Sequence, residues 1–133
     1  MKIKTEQEMI EFGRQYAQGI ARPLVLELVG DVGAGKTTFV RGLAEGLGVT
    51  EPITSPSFTL SKVYALPDGG NLVHYDFYRL PEPGLMAEDL EEKLGDPKNV
   101  VVIEWGESVG DLLPKDHKKI EIKYTEEGRE VIK

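Results

Sequence analysis

Residues 24–37 constrain this chain more than any other stretch. Leu24-Val25-Leu26-Glu27-Leu28-Val29 is an apolar run broken by one charge, the pattern of a strand buried on both faces of a parallel sheet. Gly30-Asp31-Val32-Gly33-Ala34-Gly35-Lys36-Thr37 follows at once and fits G-x-x-x-x-G-K-[ST], the Walker A pattern, at every fixed position. A helix is predicted from Thr38 to Leu47, closed by Gly48, with Gly42 and Gly46 weakening it slightly. Glycines let the loop's backbone N–H groups turn inward around phosphates without a Cβ clash. The helix opening near Lys36 adds free N–H groups and the positive end of its dipole. Lys36 brings a point charge to the β- and γ-phosphates, and the Thr37 hydroxyl is a hard oxygen suited to Mg²⁺. Thr38 either touches the α-phosphate or is simply a helix residue.

A P-loop ATPase also needs a carboxylate near its metal, commonly at the end of an apolar strand. This chain has two such positions. Glu104 follows Val100-Val101-Val102-Ile103, the best candidate for a central buried strand, and Asp76 ends Leu72-Val73-His74-Tyr75 in the same way. Either can hold Mg²⁺ or orient the attacking water. Trp105, the sole tryptophan, either stacks on a base or packs. Arg79 reaches either a phosphate, a partner carboxylate or a surface ion pair. His74 reads as structural. Ser55-Pro56-Ser57-Phe58 lies where a loop sensing the γ-phosphate is often kept, although a Ser-Pro turn explains it equally. Small GTPases carry guanine specificity on an Asn-Lys-x-Asp segment; its absence here favours ATP.

The rest of the chain supplies the frame. Thr5 to Glu8 has capping-box spacing before a helical stripe of Met9, Ile10, Phe12, Tyr16, Ala17 and Ile20, ended by Arg22-Pro23. Ser57–Tyr64 and Asn71–Tyr78 alternate as strands around the turn Pro67–Gly70, a hairpin. Leu85–Leu94 is a helix with Leu85, Met86, Leu90 and Leu94 on one side. Ile120, Ile122 and Tyr124 alternate before the turn Glu126-Glu127-Gly128, which predicts a second hairpin with Arg129–Lys133. The expected architecture is one domain over residues 1–133 with an α/β P-loop NTPase fold. Its sheet is mixed, with a parallel core, helices on its faces and antiparallel additions from the two hairpins.

Composition removes other classes. There is no cysteine and there are two histidines, which excludes disulfides, thiolate metal sites and a histidine-rich metal centre. A net charge of −7 argues against bulk electrostatic capture of nucleic acid or of an anionic membrane. No apolar run reaches transmembrane length, and Met1 to Glu6 lacks the apolar stretch of a signal peptide, so a cytoplasmic chain is expected.

The loop Gly30–Thr37, the segment Thr54-Ser55-Pro56-Ser57-Phe58-Thr59, His74-Tyr75-Asp76-Phe77-Tyr78-Arg79 and Val102-Ile103-Glu104-Trp105 occur in this order. Together they make the chain resemble the bacterial TsaE family, older name YjeE, over nearly its whole length. The resemblance implies a small ATPase required for threonylcarbamoyl modification of adenosine 37 in tRNAs that read ANN codons. It implies action through the TsaD–TsaB heterodimer, with tRNA engaged only indirectly. Carried over by motif, Gly33, Ala34, Gly35, Lys36, Thr37 and Thr38 would hold the phosphates, and Thr37 and Glu104 would ligate Mg²⁺. Asp76 would be a catalytic or metal-linked carboxylate, and Ser55 to Phe58 a switch loop. Glu6 and the turn at Gly128 and Arg129 would lie near the base or ribose. Ser57 departs from the threonine usual in the family, which retains the hydroxyl and loses a methyl. Two other readings stay open from the residues alone: a small-molecule or nucleotide kinase, and a non-hydrolysing nucleotide-dependent interaction module. The five arginines are scattered and no long lid is present, which disfavours the kinase.

Overall fold

A computed structural model describes residues 1–31, 33–54, 56, 61–78 and 84–133. Among the described residues seven strands form one sheet: β1 (Lys2–Ile3), β2 (Leu24–Val29), β3 (Ser61–Ala65), β4 (Asn71–Asp76), β5 (Val100–Glu104), β6 (Lys118–Thr125) and β7 (Gly128–Ile132). Their order across the sheet is β1-β7-β6-β2-β5-β4-β3. β6, β2, β5 and β4 are mutually parallel, and the hairpins β3–β4 and β6–β7 extend the core antiparallel at its two sides. β1, absent from the sequence expectation, pairs antiparallel with β7 and carries the N-terminus to the sheet edge.

Side-chain alternation divides the core into two layers. Leu24, Leu26, Leu28, Leu72, Val100 and Val102 face the helices α1 (Glu6–Gln18) and α2 (Lys36–Gly46). Val25, Val73, Tyr75, Val101 and Ile103 face α3 (Leu85–Leu94) and a 3-10 turn over Gly106–Leu112. Glu27, the lone charge of β2, is on the second face and accepts a 3.1 Å hydrogen bond from His117 Nε2. All five residues of β5 are buried, as the β-branched run requires. Among the described residues no helix is long and apolar enough to cross a membrane.

Local chemistry explains the element ends. Thr5 caps α1 by accepting from the Glu8 N–H at 3.1 Å, and the Glu8 carboxylate returns to the Lys4 N–H at 3.2 Å. The helix stops at Gly19, before Arg22-Pro23, so Ile20 packs from outside the helix. α2 begins at Lys36, two residues earlier than its pattern predicts, because Gly35 takes a left-handed conformation and serves as its N-cap. It closes in a Schellman motif, Val49 N–H to Ala44 O at 2.9 Å and Gly48 N–H to Glu45 O at 3.1 Å. β4 ends at Asp76, so Phe77 and Tyr78 leave the strand. Leu85 opens α3 and is 79% exposed, while Leu90 alone of that predicted stripe is fully buried. The part of the first hairpin strand over residues 57–60 lies outside the described residues.

Gly42 and Gly46 are the conditions of a close helix contact. A Cβ on Gly42 would stand 2.1 Å from the Ile10 carbonyl oxygen, and one on Gly46 would stand 2.6 Å from Ala17 Cβ. Gly13 of α1 answers them, its Cβ position lying 2.4 Å from the Phe39 carbonyl oxygen. The α1 and α2 backbones therefore touch along a glycine seam, flanked by Phe12 and Tyr16 against Phe39 with ring centroids 5.5 and 5.8 Å apart.

Candidate functional site

The parallel register builds the site. Leu28 of β2 and Asp76 of β4 both pair with Glu104 of β5, so three strand ends meet at one edge of the sheet. The loop from β2 to α2 begins there. This is the carboxyl edge at which open α/β sheets bind ligands. Gly33 and Gly35 hold φ of +83° and +108°, conformations that L side chains rarely adopt, and they bend the loop into the first turn of α2. Ala34 is buried under that bend, its N–H bonded to the Asp31 carbonyl at 3.0 Å.

Lys36 and Glu104 are buried charges, 6% and 4% exposed, and each finds partners. Lys36 Nζ donates to the Gly30 carbonyl at 2.6 Å and lies 3.5 Å from Glu104 Oε1. The other carboxylate oxygen, Oε2, bonds to Nε2 of the fully buried His74. Asp76 stands beside Glu104 in register, and its Oδ1 accepts the Tyr78 N–H at 2.9 Å, shaping the exit from β4. Trp105 follows in a left-handed conformation, φ +56°, with Lys36 Nζ 4.4 Å from its ring centre and the Tyr78 ring 4.7 Å away. Thr37, half-buried, stands in the first turn of α2.

On the other side of the loop, Gly33, Ala34, Gly35 and Thr38 line a cavity of about 290 Å³ together with Glu6, Gly128 and Arg129. Arg129 clasps the loop from outside: Nε donates to the Ala34 carbonyl at 3.1 Å and a terminal nitrogen to Gly33 O at 3.5 Å. Its guanidinium lies 4.0 Å from the Tyr124 ring centre. Gly128, at φ +141°, lets the β6–β7 turn approach β1, since a Cβ there would be 2.4 Å from the Ile3 carbonyl oxygen. Glu6 at the start of α1 pairs with Arg41 at 3.0 Å.

A model described as Threonylcarbamoyl adenosine biosynthesis protein TsaE matches residues 3–131. The chain belongs to the TsaE family. It is 42% identical over 115 residues to the tRNA threonylcarbamoyladenosine biosynthesis protein TsaE of Streptomyces coelicolor, covering 86% of this chain and 78% of that one. The protein of the same name from Treponema pallidum is 36% identical over 129 residues, 97% of this chain and 94% of its own. The crystal structure of Bacillus subtilis YdiB superposes with a TM-score of 0.76 at 34% identity, over 96% of this chain and 78% of that one. The fold is that of a P-loop NTPase, as expected from the strand–loop–helix unit.

The sequence-predicted residues fall into two neighbouring groups in this TsaE-family chain. Lys36, Asp76, Glu104 and Trp105 gather at the strand ends, with Thr37 in the adjoining first turn of α2. Glu6, Gly33, Ala34, Gly35, Thr38, Gly128 and Arg129 share the cavity beyond the loop. Trp105 is absent from that second lining; it borders a separate cleft with Gly30, Asp31 and Tyr124. Trp105 packs against Lys36 and Tyr78. Ser55, Ser57, Phe58 and Arg79 lie outside the described residues. Sequence reasoning missed Tyr124, whose ring lies against the Arg129 guanidinium and whose hydroxyl would meet a Cβ on Gly33, and missed that His74 bonds Glu104. A signal for His74 was present: two residues before Asp76 on a strand, it must share that carboxylate's face.

The donor set suits a hard divalent cation. A hydroxyl at Thr37 and carboxylates at Glu104 and Asp76 are oxygen ligands of the kind Mg²⁺ takes. Among the described residues no group of three or more His, Cys, Asp or Glu side chains is arranged to hold a metal unaided.

Proposed function

We propose that this chain is a Mg²⁺-dependent ATPase that serves threonylcarbamoyl modification of adenosine 37 in tRNA, acting on the TsaD–TsaB pair through ATP binding and hydrolysis. The observation that carries the reading is the buried Lys36–Glu104 contact at 3.5 Å, with Asp76 in register beside it at the mouth of the glycine loop. The membership of the TsaE family supports the pathway, since its relatives bear the biosynthetic name.

The loop's N–H groups and the N-terminus of α2 bind the phosphates, and Lys36 exchanges its Gly30 carbonyl and Glu104 partners for phosphate oxygens. Thr37 and Glu104 would hold Mg²⁺, which would supply charge neutralisation at the phosphates. Asp76 would orient the attacking water or serve as a metal-linked carboxylate. Glu6, Gly128 and Arg129 form the wall against which the base or ribose rests, on the lining they share with the loop. Intrinsic hydrolysis is slow, and the partner proteins complete the site or reorder its loops.

Glu104→Gln and Asp76→Asn keep shape while removing charge. Each is expected to lower ATP turnover by about tenfold or more, with melting temperature close to wild type. Wild-type hydrolysis in both variants refutes the assignment of these carboxylates. Phosphate transfer from ATP to a nucleoside monophosphate or sugar, in place of water, points instead to a kinase.

A further inference from the structure

We propose that His74 is a positioning residue that fixes the Glu104 carboxylate so that one oxygen alone is presented to the metal. The inference rests on the reading above, in which Glu104 holds Mg²⁺.

His74 lies on β4 opposite Val102 of β5, one pleat below the Asp76–Glu104 pair and on the same face. Its ring is fully buried, and Nε2 bonds Glu104 Oε2. Nε2 is the ring nitrogen that meets the carboxylate, and Nδ1 has no hydrogen-bond partner among the described residues. Leu72, Val100, Val102 and Phe39 make the neighbouring positions of this layer apolar. A buried, unpaired ring nitrogen there is an uncompensated desolvation that an aliphatic side chain would avoid. What the imidazole provides in return is its single bond to Glu104.

That bond has a definite geometric effect. A glutamate side chain ends in a torsion with a broad preference, so an unrestrained carboxylate turns freely. With Oε2 tied to His74, the carboxylate plane is set and Oε1 is the oxygen directed to Lys36, 3.5 Å away. When Lys36 turns to phosphate, Oε1 is left ready for the cation without a change of rotamer. Partners that orient a ligand in this way typically account for a 10–100-fold effect on metal affinity.

The test uses the whole chain with a fluorescent, non-hydrolysable ATP analogue, titrated with Mg²⁺ and separately bound in EDTA, alongside thermal melts. His74→Leu removes the donor and fills the space; His74→Gln keeps an N–H at comparable reach. For His74→Leu we expect apparent Mg²⁺ affinity to fall by roughly 10–100-fold. Nucleotide affinity in EDTA should stay within about twofold of wild type, and His74→Gln should recover most of the loss. His74→Leu that melts like wild type and keeps wild-type Mg²⁺ affinity overturns the inference. Equal losses in both variants, extending to binding in EDTA, show a merely structural role and overturn it too. If His74→Leu does not fold, His74→Gln decides: Mg²⁺ affinity near wild type supports the inference, and a loss as large as that of Glu104→Gln overturns it. A wild-type chain whose analogue binding ignores Mg²⁺ overturns the metal reading and this inference together. A wild-type response retained in full by His74→Leu overturns this inference alone.

Discussion

Gly42→Ala sets two effects of opposite sign against each other. In an open helix interior the change would stabilise by about 1 kcal/mol, through lower chain entropy and better helix propensity. Here the new Cβ would stand 2.1 Å from the Ile10 carbonyl oxygen, where ordinary contact begins at 3.4 Å. The shortfall is about 1.3 Å; the Cβ is fixed by its own backbone and the atom it meets is backbone, so no side chain can swing away. Separating α1 from α2 by that distance loosens Phe12 and Tyr16 on Phe39, and overpacking of this kind costs about 1–3 kcal/mol, its upper end applying where backbone must shift. The net expectation is destabilisation by about 1–2 kcal/mol, or a fall in Tm of roughly 4–8 °C for a chain of this size. Nucleotide affinity should drop with it, because α2 carries Lys36 and Thr37 in its first turn and Met9 of α1 supports Gly35 from below. Gly19→Ala is the control: a Cβ there meets nothing within 4 Å, so stability should change by less than about 0.5 kcal/mol. Circular dichroism melts and urea titrations of both variants give the answer. Gly42→Ala melting at or above wild type would refute the seam argument.

Other consequences are as direct. Gly33→Ala would force a side chain into φ +83° and within 2.8 Å of the Tyr124 hydroxyl, so ATP-analogue affinity should fall by about tenfold; unchanged affinity by fluorescence titration would contradict the loop geometry. Arg129→Gln removes the guanidinium bonds to the Gly33 and Ala34 carbonyls, and KM for ATP should rise several-fold with a smaller change in kcat, whereas loss of kcat at constant KM would oppose this. Burial and the Asp89 carboxylate, which accepts its hydrogen bond at 2.5 Å, hold the Tyr75 phenol well above its ordinary range. Above about pH 10 the unfolded chain gives up that proton and the native state keeps it, so this group's contribution to stability is lost as pH rises. Tyr75→Phe should therefore be less stable by about 1 kcal/mol at neutral pH and show a shallower decline above pH 10; parallel declines would show the phenol is not held as described.

Much of the site could be read in the chain because its chemistry is local. The glycine loop, the carboxylates closing β4 and β5, and the alternation within each strand all lie within short windows. What escaped is set by distant partners. β1 has two residues, too few for any pattern, and exists because β7 offers it an edge. Nothing in the alternation of Ile120 and Ile122 says that β6 joins β2 in parallel; the order of the sheet decides that. Gly13, Gly42 and Gly46 look like weak points in helices until the helices are placed together. Trp105 could be read toward a base or toward packing, and its left-handed backbone, which turns it onto Lys36, has no mark in sequence. The meeting of Glu6, Gly128 and Arg129 around the loop came from family resemblance, since no spacing relates residues more than a hundred positions apart.

The most direct test of the central claim is Mg²⁺-dependent ATP hydrolysis by the purified chain, alone and with TsaD–TsaB, for wild type and Lys36→Ala. Weak hydrolysis alone, a marked change when the pair is added, and loss of both in Lys36→Ala are expected. Hydrolysis that ignores the pair, or that survives in Lys36→Ala, would contradict the claim.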